Sequence, residues 1–329
     1  KCKHALQTLG NIKVLHLEYG RTYQEEGNIY RRHQDVVPAV EAYNQAVMRK
    51  PALLACWQAL ADLYQQQANH TAAKEMREQV QRLSALPIEL LSVNSMLHEG
   101  KLYKAEQLCR NYLQKMPHHV EAMRLLASIG VKMHVLDDAE FLLESCVEFY
   151  PNNTVVRFDY ADVLYKRQKF AESLEQAEKL HNEDPTNLAF SMIMANCHVG
   201  AGNIEAALSI YNKVLQQTPD NPNVLLMLAH ALKAVDKVDE AIAAYQKAYK
   251  SKPDFGDAFW SLANLKTYRF SDAEINIMQH RQTDEKTALV DRFHFCFALG
   301  KAFEDKKDYA VSMEYYQLGN SLKKQQSRY

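Results

Sequence analysis

Apolar residues recur along most of the chain at intervals of three and four, which is the spacing of one face of an α-helix. Leu225, Leu228 and Leu232 fall on one such face. After a polar turn, Ala241 and Tyr245 begin a second face. Runs of about fourteen residues alternate in this way with short polar turns, and this pattern predicts pairs of antiparallel helices rather than a sheet.

Prolines reveal the period of the pattern, because a proline cannot continue a helix and separates one helix pair from the next. Five of them follow one another at intervals of 34 residues: Pro117, Pro151, Pro185, Pro219 and Pro253. Pro51 lies near two further periods upstream. With the proline set as position 32, the repeats span residues 20–53, roughly 54–87, 86–119, 120–153, 154–187, 188–221 and 222–255.

Each repeat places a small residue at position 20, where two helices can approach closely: Ala39, Ala73, Ala105, Ala139, Ser173, Ala207 and Ala241. Position 24 is Tyr43, Tyr211 and Tyr245 in the best-conforming repeats. The period and these positions resemble the tetratricopeptide repeat (TPR) family. The resemblance implies an all-α, right-handed α-α superhelix of about eight to nine helical hairpins, with the last ones irregular and a concave inner surface. The tyrosines then belong to the core.

The regularity fails in WSLANLKTYRFSDAEI, residues 260–275. Lys266 stands where a large residue is expected, and Ser271 with Glu274 has the spacing of a capping box that starts a helix. We therefore expect the first helix of this repeat to end, and the second to begin, too early or in a shifted frame. The predicted organisation is a partial repeat at 1–19, a regular array at 20–255, and divergent terminal repeats at 256–329 that lead to a missing C-terminal domain.

Position 9 of the first helix faces the concave side in TPR stacks, and in this sequence it is polar throughout: Asn28, Asp62, Asn94, Ser128, Asp162, Asn196, His230 and Asn264. An amide side chain offers both donors and an acceptor, which match the main chain of an extended peptide. The column resembles the asparagine ladder of O-linked N-acetylglucosamine transferases. The resemblance implies that it binds peptide backbone, whereas the alternative interpretation is a solvated polar surface.

Trp260, at position 5 of its repeat, is the candidate anchor for a client protein, because tryptophan is favoured at binding hot spots. The alternative is that it packs between the last two repeats. The set of Lys and Asn residues that forms the carboxylate clamp of chaperone-binding TPR domains is not found here. Chaperone C-termini are therefore not the expected client.

Residues 256–325, including WSLANLKTYRFSDAEI and FALGKAFEDKKDYAVSMEYYQLGN, resemble the distal repeats of bacterial TPR–sulfotransferase fusion proteins. The resemblance implies a following sulfotransferase domain that uses 3′-phosphoadenosine-5′-phosphosulfate (PAPS), with the irregular repeats as a rigid collar. Within the chain itself no Gly-rich phosphate loop and no catalytic grouping stands out. We expect no active site and no cofactor in this segment.

The charge and cysteine content of the chain limit the kinds of partner and site that are expected. The 39 basic and 40 acidic residues give a formal net charge of −1, which argues against nucleic acid as a partner. No apolar stretch is long enough for a membrane span. Six cysteines lie far apart in apolar surroundings, so metal ligation is not expected, and free thiols favour a reducing, cytoplasmic location.

The sequence thus predicts a protein- or peptide-binding module whose client lies in the concave groove. The leading hypothesis is the substrate-recruiting part of a PAPS-dependent sulfotransferase. The alternatives are a free-standing scaffold for complex assembly and the TPR region of an O-linked glycosyltransferase-like protein. The identity of the client, the direction of a bound peptide and the oligomeric state stay open at this stage.

Overall fold

A computed structural model describes residues 2–15, 19–284 and 287–326. Within these ranges the regular structure is entirely helical, with nineteen helices, and the all-α fold class is confirmed. The contact pattern divides the chain into two compact units, Lys1–Arg167 and Gln168–Tyr329. This division falls inside the predicted regular array, and the boundaries predicted at 19/20 and 255/256 stay predictions.

The first unit contains ten described helices, and α2 to α9 pair as four successive hairpins. They are α1 (Cys2–Leu15), α2 (Gly20–Arg32), α3 (Val36–Arg49), α4 (Leu54–Gln66), α5 (His70–Ser84), α6 (Ile88–His98), α7 (Leu102–Lys115), α8 (Val120–Lys132), α9 (Leu136–Phe149) and α10 (Thr154–Lys166). The pairs α2–α3, α4–α5, α6–α7 and α8–α9 each pack along their length. Helix α1 packs against α2, as a partial repeat would, while Lys1 and residues 16–18 of the predicted segment 1–19 lie outside the described residues.

The second unit contains nine helices. They are α11 (Phe170–Glu183), α12 (Leu188–Gly200), α13 (Ile204–Gln217), α14 (Pro222–Ala234), α15 (Val238–Ser251), α16 (Gly256–Ala263), α17 (Asp272–Thr283), α18 (Leu289–Asp305) and α19 (Tyr309–Gln326). The hairpins α12–α13, α14–α15 and α18–α19 are regular pairs. Every proline of the 34-residue series lies two residues beyond the end of a second helix, as its chemistry predicts.

Outside the irregular repeat, the turn after each first helix from α2 onward is made by a single residue in the left-handed region, at position 15 of the repeat. These residues, with φ between 56° and 81°, are Gln34, Ala68, Gly100, His134, Gln168, Gly202, Asp236 and Lys307. A left-handed residue ends a helix because its carbonyl no longer points along the helix axis. Only two of the eight are glycine, so the repeat forces this conformation on ordinary residues, and a propensity argument alone would miss it.

Close helix contact explains the small residues of the pattern. The residue at position 20 is fully buried in each of the seven regular repeats, from Ala39 to Ala241. At position 8, a Cβ added to Gly27 would come within 2.8 Å of the Tyr43 ring, and one added to Gly300 within 2.7 Å of the Tyr316 ring. The first helix therefore lies directly on the aromatic ring of position 24, and the predicted core role of these tyrosines is confirmed.

The break at residues 260–275 affects only the first helix of its repeat. Helix α16 has eight residues where its counterparts have about thirteen, and the left-handed residue is Lys266, four positions early. Helix α17 nevertheless begins at Asp272, which is position 17, as in every other repeat. The expectation that the second helix also starts early was therefore wrong. The capping box of Ser271 and Glu274 is present and holds that helix in register.

The shortened helix has a different main neighbour, because α16 packs on α18. The backbone N–H of Gly256 donates to Oδ1 of Asp291 at 2.9 Å, so a side chain of α18 caps the start of α16. A Cβ at residue 256 would collide with the Asp291 backbone. Helix α18 in turn begins four residues before the position expected for a first helix, and it supplies the surface that α16 needs.

Candidate functional site

In the first unit, the position-9 side chains differ in how much surface they offer to a ligand. Asp62 is exposed, and Asn28, Ser128 and Asp162 are half-buried. Asn94 is only 8% exposed, so it offers little surface to a partner. The predicted column therefore does not present its members equally.

These residues are held by neighbours within the protein. Oδ1 of Asn28 accepts a hydrogen bond from the Tyr43 hydroxyl at 2.8 Å. Asp62 pairs with Arg31 of the preceding first helix at 2.8 Å, and Asp162 pairs with Lys166 one turn further on. Asp62 and Asp162 therefore form ion pairs on the surface. Asn28 is instead held by a hydrogen bond from the core residue Tyr43.

The second unit contains the same tyrosine arrangement in two neighbouring hairpins. Oδ1 of Asn196 accepts from the Tyr211 hydroxyl at 2.8 Å. Nδ1 of His230 lies 2.8 Å from the Tyr245 hydroxyl. Both tyrosine rings are buried, with only the hydroxyl reaching the first helix. A hydrogen bond from the position-24 tyrosine to position 9 is thus present in three hairpins within the described residues.

This bond decides which hydrogen-bonding groups position 9 presents. A tyrosine hydroxyl that donates uses the carbonyl oxygen of the Asn side chain, which leaves the amide N–H groups for other partners. In Asn28, one of these N–H groups already donates to Glu25 at 3.4 Å, and the second remains. When His230 accepts at Nδ1, its proton sits on Nε2, and this nitrogen is again a donor. Sequence reasoning missed these tyrosines as part of the site. The available signal was the constant interval of fifteen residues between positions 9 and 24.

The pKa of His230 lies below the usual histidine value. Desolvation is the largest cause, Asp257 opposes it, and the charge of Lys233 acts in the same direction as desolvation. The ring is therefore neutral at pH 7, which is the state in which Nδ1 can accept from Tyr245.

The last two predicted site residues occupy other environments. Asn264 is exposed, but it is the C-cap of the shortened helix α16 rather than a member of its second full turn. Trp260 is half-buried, packs on the core of the second unit and has its ring 5.3 Å from that of Phe297. These contacts support the packing interpretation of Trp260. Phe297, at position 5 of the last repeat, is its aromatic neighbour and was not singled out from the sequence.

Polar contacts tie neighbouring first helices together in the first unit. Nε of Arg124 donates to Asp159 at 2.6 Å, and the same guanidinium donates to Glu121 at 2.7 Å. Nζ of Lys132 donates to the backbone carbonyl of Leu97 at 3.1 Å. Arg124 and Lys132 therefore join neighbouring first helices through their side chains.

Metal ligation, thiol reactivity and membrane insertion are the other properties that bear on a site in the described part of the chain. No group of three or more metal-ligating side chains is found among residues 2–15, 19–284 and 287–326. Each of the five cysteines whose side chains are described is buried without a disulfide. Burial raises the pKa of the Cys56 thiol to about 12, so this thiol is not reactive at neutral pH. No helix of the described residues is long and apolar enough to cross a membrane.

Comparison with known families supports the period found in the sequence. Tetratricopeptide repeat models match residues 158–222, 198–265 and 293–326. These segments are tetratricopeptide repeats. The last match covers the α18–α19 hairpin, so the TPR pattern resumes after the break at residues 260–275.

Individual relatives are distant. Anaphase-promoting complex subunit 3 of Dictyostelium discoideum is 24% identical over 90 residues, which make up 27% of this chain and 9% of that protein. Among solved structures, the human IFIT1 dimer with m7Gppp-AAAA has a TM-score of 0.54 at 16% identity and covers 96% of this chain and 81% of its own. TTC0263, a TPR protein of Thermus thermophilus, has a TM-score of 0.44 at 18% identity over 52% of this chain and 93% of its own. The likeness to IFIT1 shows the fold alone.

Proposed function

We propose that each unit of this TPR array binds extended polypeptide along the face formed by its own first helices. The observation that supports the proposal most directly is the tyrosine bond to position 9. Through it, Asn28, Asn196 and His230 each present a nitrogen donor in a fixed orientation. Donors repeated along the array suit main-chain carbonyls, which recur along any extended chain regardless of its sequence.

Preorganisation of the donor side chain favours binding. A flexible amide loses rotamer freedom when it binds a ligand, and that loss weakens binding. The core tyrosine has already fixed the Asn196 amide, so less freedom is lost on binding. The proposed client is a protein or peptide bound mainly through its backbone, with Asn196 and His230 as the donors of the second unit.

Replacing Asn196 by Asp tests this proposal because it separates binding from folding. The carboxylate still accepts the Tyr211 hydrogen bond, but it has lost the amide donors. We expect affinity for extended peptides on an array of varied sequences to fall about tenfold, as for the loss of one well-placed hydrogen bond. Thermal unfolding should change little.

Asn212→Asp is the matched control, since Asn212 is exposed on the second helix α13 and the charge change is the same. Peptide affinity of this control should stay close to that of the unmodified protein. Equal losses in the two variants, or an unchanged affinity for Asn196→Asp, would contradict a donor role for Asn196.

The finer proposal is that the array recruits substrate for a PAPS-dependent sulfotransferase. Its support is the resemblance of residues 256–325 to TPR–sulfotransferase fusion proteins; the relatives described above do not carry that activity in their names. PAPS would then be bound by a separate domain. Sequencing the full gene is the test: a strand, phosphate loop and helix after residue 329 is the expected result, and a chain lacking such a domain overturns this proposal.

A scaffold for complex assembly is the second candidate. Its support is the matching relative, whose name makes it a subunit of a multiprotein complex. Co-purification of the full-length protein separates the two: stable stoichiometric partners without turnover favour the scaffold, whereas transient capture of many clients favours substrate recruitment.

A further inference from the structure

A basic recess lies in the first unit, away from the tyrosine-supported positions. It is formed by the start of α2, the end of α3 and the turn between α6 and α7, and its volume is about 560 Å³. Four cationic side chains line it: Arg21, Arg49, Lys50 and Lys101. Among the described residues that line it, Glu99 is the one carboxylate, which leaves an excess of three positive charges there in a chain whose net charge is −1.

The Glu99 carboxylate is bound by two of the lysines that line the recess. Nζ of Lys50 lies 2.9 Å from one of its carboxylate oxygens, and Nζ of Lys101 lies 2.7 Å from the other. Hydrogen bonds from Lys101 and Lys50 hold the pKa of Glu99 below its usual value. The two ammonium groups are therefore spaced to bind a carboxylate between them.

The two arginines extend this positive surface. Arg49 is held in place by the side chain of Gln45, at 2.5 Å, and by the Tyr23 ring, whose centroid lies 4.1 Å from the guanidinium carbon. Arg21 is exposed, and the described residues provide it with no ion pair. An Arg guanidinium suits bidentate contact with a carboxylate.

The backbone at the N-terminus of α2 adds to the positive electrostatic potential of the recess. Helix α2 is thirteen residues long, and its N-cap residue Tyr19 supplies no side-chain hydrogen bond to its first turn. Tyr19, Gly20 and Arg21 at this end line the recess, so the positive end of the helix dipole lies against it. Gly20 makes this possible, because a Cβ there would lie 2.9 Å from Cβ of Lys50.

We propose that this recess binds the acidic side chains of a peptide client, with Arg21 as the principal free contact and Glu99 as an internal competitor. The proposal rests on the proposed peptide-binding function. Arg21 and Asn28 lie seven residues apart on α2, which is about two turns on one face, so a chain held by Asn28 can reach the recess. The volume lies in the range of about 300–1,000 Å³ that is usual for ligand sites, and it exceeds what a single inorganic anion fills.

The experiment measures binding of a fluorescent oligo-glutamate peptide, with the oligo-glutamine peptide and inorganic phosphate as competitors. We expect the acidic peptide to bind and its affinity to fall as salt is added. Arg21→Gln should weaken binding about tenfold through the loss of one charge-assisted contact. Glu99→Gln should strengthen binding several-fold, because it frees both lysines.

Lys104→Gln is the matched control, because Lys104 is exposed on α7 and does not line the recess, while its replacement removes the same charge. The affinity of this variant should stay within about twofold of the unmodified protein, since a remote surface charge is screened. Far-ultraviolet circular dichroism and a melting curve for each variant check that the fold is retained. Arg21→Gln alters an exposed side chain and keeps the test valid if Glu99→Gln unfolds.

Three results would overturn the recess as an acidic-peptide site: equal loss with Lys104→Gln and Arg21→Gln, equal competition by oligo-glutamine, or tighter binding of phosphate than of oligo-glutamate. Loss of the acidic-peptide site can be distinguished from loss of the proposed backbone-binding function, because different variants test them. Asn196 belongs to the other unit, so Asn196→Asp reports on backbone capture, whereas Arg21→Gln reports on the recess.

Discussion

At the scale of single residues, the hydroxyl groups of core tyrosines have two different roles as hydrogen-bond donors. In three hairpins they fix the position-9 side chain, and in the irregular repeat they solvate a buried charge. The Glu274 carboxylate, 8% exposed, accepts from the hydroxyls of Tyr249 at 2.8 Å and Tyr268 at 2.5 Å, and from the backbone N–H of Ser271 at 2.8 Å. Among the described residues, the negative charge of Glu274 is therefore stabilised by hydrogen-bond donors rather than by a cation.

These donors make Glu274 a source of pH-dependent stability. Desolvation alone would raise its pKa, but the hydrogen bonds from Tyr268, Ser271 and Tyr249 outweigh it and bring the pKa below its usual value. A carboxyl group whose pKa is lowered by folding stabilises the protein above its unfolded pKa, and this contribution is lost as the pH falls through the folded pKa. We predict that Glu274→Gln lowers the free energy of unfolding by about 1–3 kcal/mol at pH 7.

Urea denaturation of both proteins at several pH values measures this effect. The difference between them should shrink as the pH is lowered from about 6 to about 3, because the wild-type carboxyl becomes protonated. A difference that is constant over this range would mean that the charge of Glu274 does not contribute.

At the scale of elements, each hairpin depends on one left-handed residue and on close contact between its helices. The turn residue is often not glycine, because the packing of the two helices determines its conformation. Helix α16 shows the same principle in a different form: its N-terminus is set directly against α18, with Gly256 where a larger residue does not fit.

Gly256→Ala should therefore be costly for a reason unrelated to helix propensity. Its new methyl group would collide with the Asp291 backbone and force α16 away from α18, at a cost of about 1–3 kcal/mol as in other overpacked sites. Gly202→Ala is the comparison, since a Cβ there meets nothing within 4 Å and only the φ of 81° is unfavourable. Its expected cost is about 1 kcal/mol.

Equilibrium unfolding in urea, followed by circular dichroism, measures both variants. If Gly256→Ala were the less destabilising of the two, the close packing of α16 on α18 would not be the constraint that the structure indicates.

At the scale of the whole molecule, the two units differ in how their cores are connected. In Gln168–Tyr329, most buried residues from Ala195 to Ala302 form one large cluster, beside a small cluster around Cys296. In Lys1–Arg167, they form smaller clusters, such as those around Tyr43 and around Leu126. Because a repeat protein is stabilised by contacts between neighbours, a perturbation should spread as far as the cluster that contains it.

Ala241→Leu tests this expectation, since Ala241 is fully buried between α14 and α15. The larger side chain should separate these helices and destabilise the second unit by about 1–3 kcal/mol. Hydrogen exchange measured by mass spectrometry should show lower amide protection from α13 to α18. Protection in α8 and α9 should stay unchanged, and a uniform loss over the whole chain would contradict separate cores.

The amino-acid sequence by itself determined the period, the helix pairs, the buried small residues and the polar character of position 9. Each follows from local chemistry: proline ends helices, alanine permits close contact, and apolar residues recur on one helical face. Tertiary structure decided which of these positions are exposed, since Asn94 is buried while Asp62 is not. It also decided the orientation of Asn196, the packing of Trp260 on Phe297, and the placement of Arg21 and Lys101 around one recess, because these depend on contacts between residues that are distant in the chain.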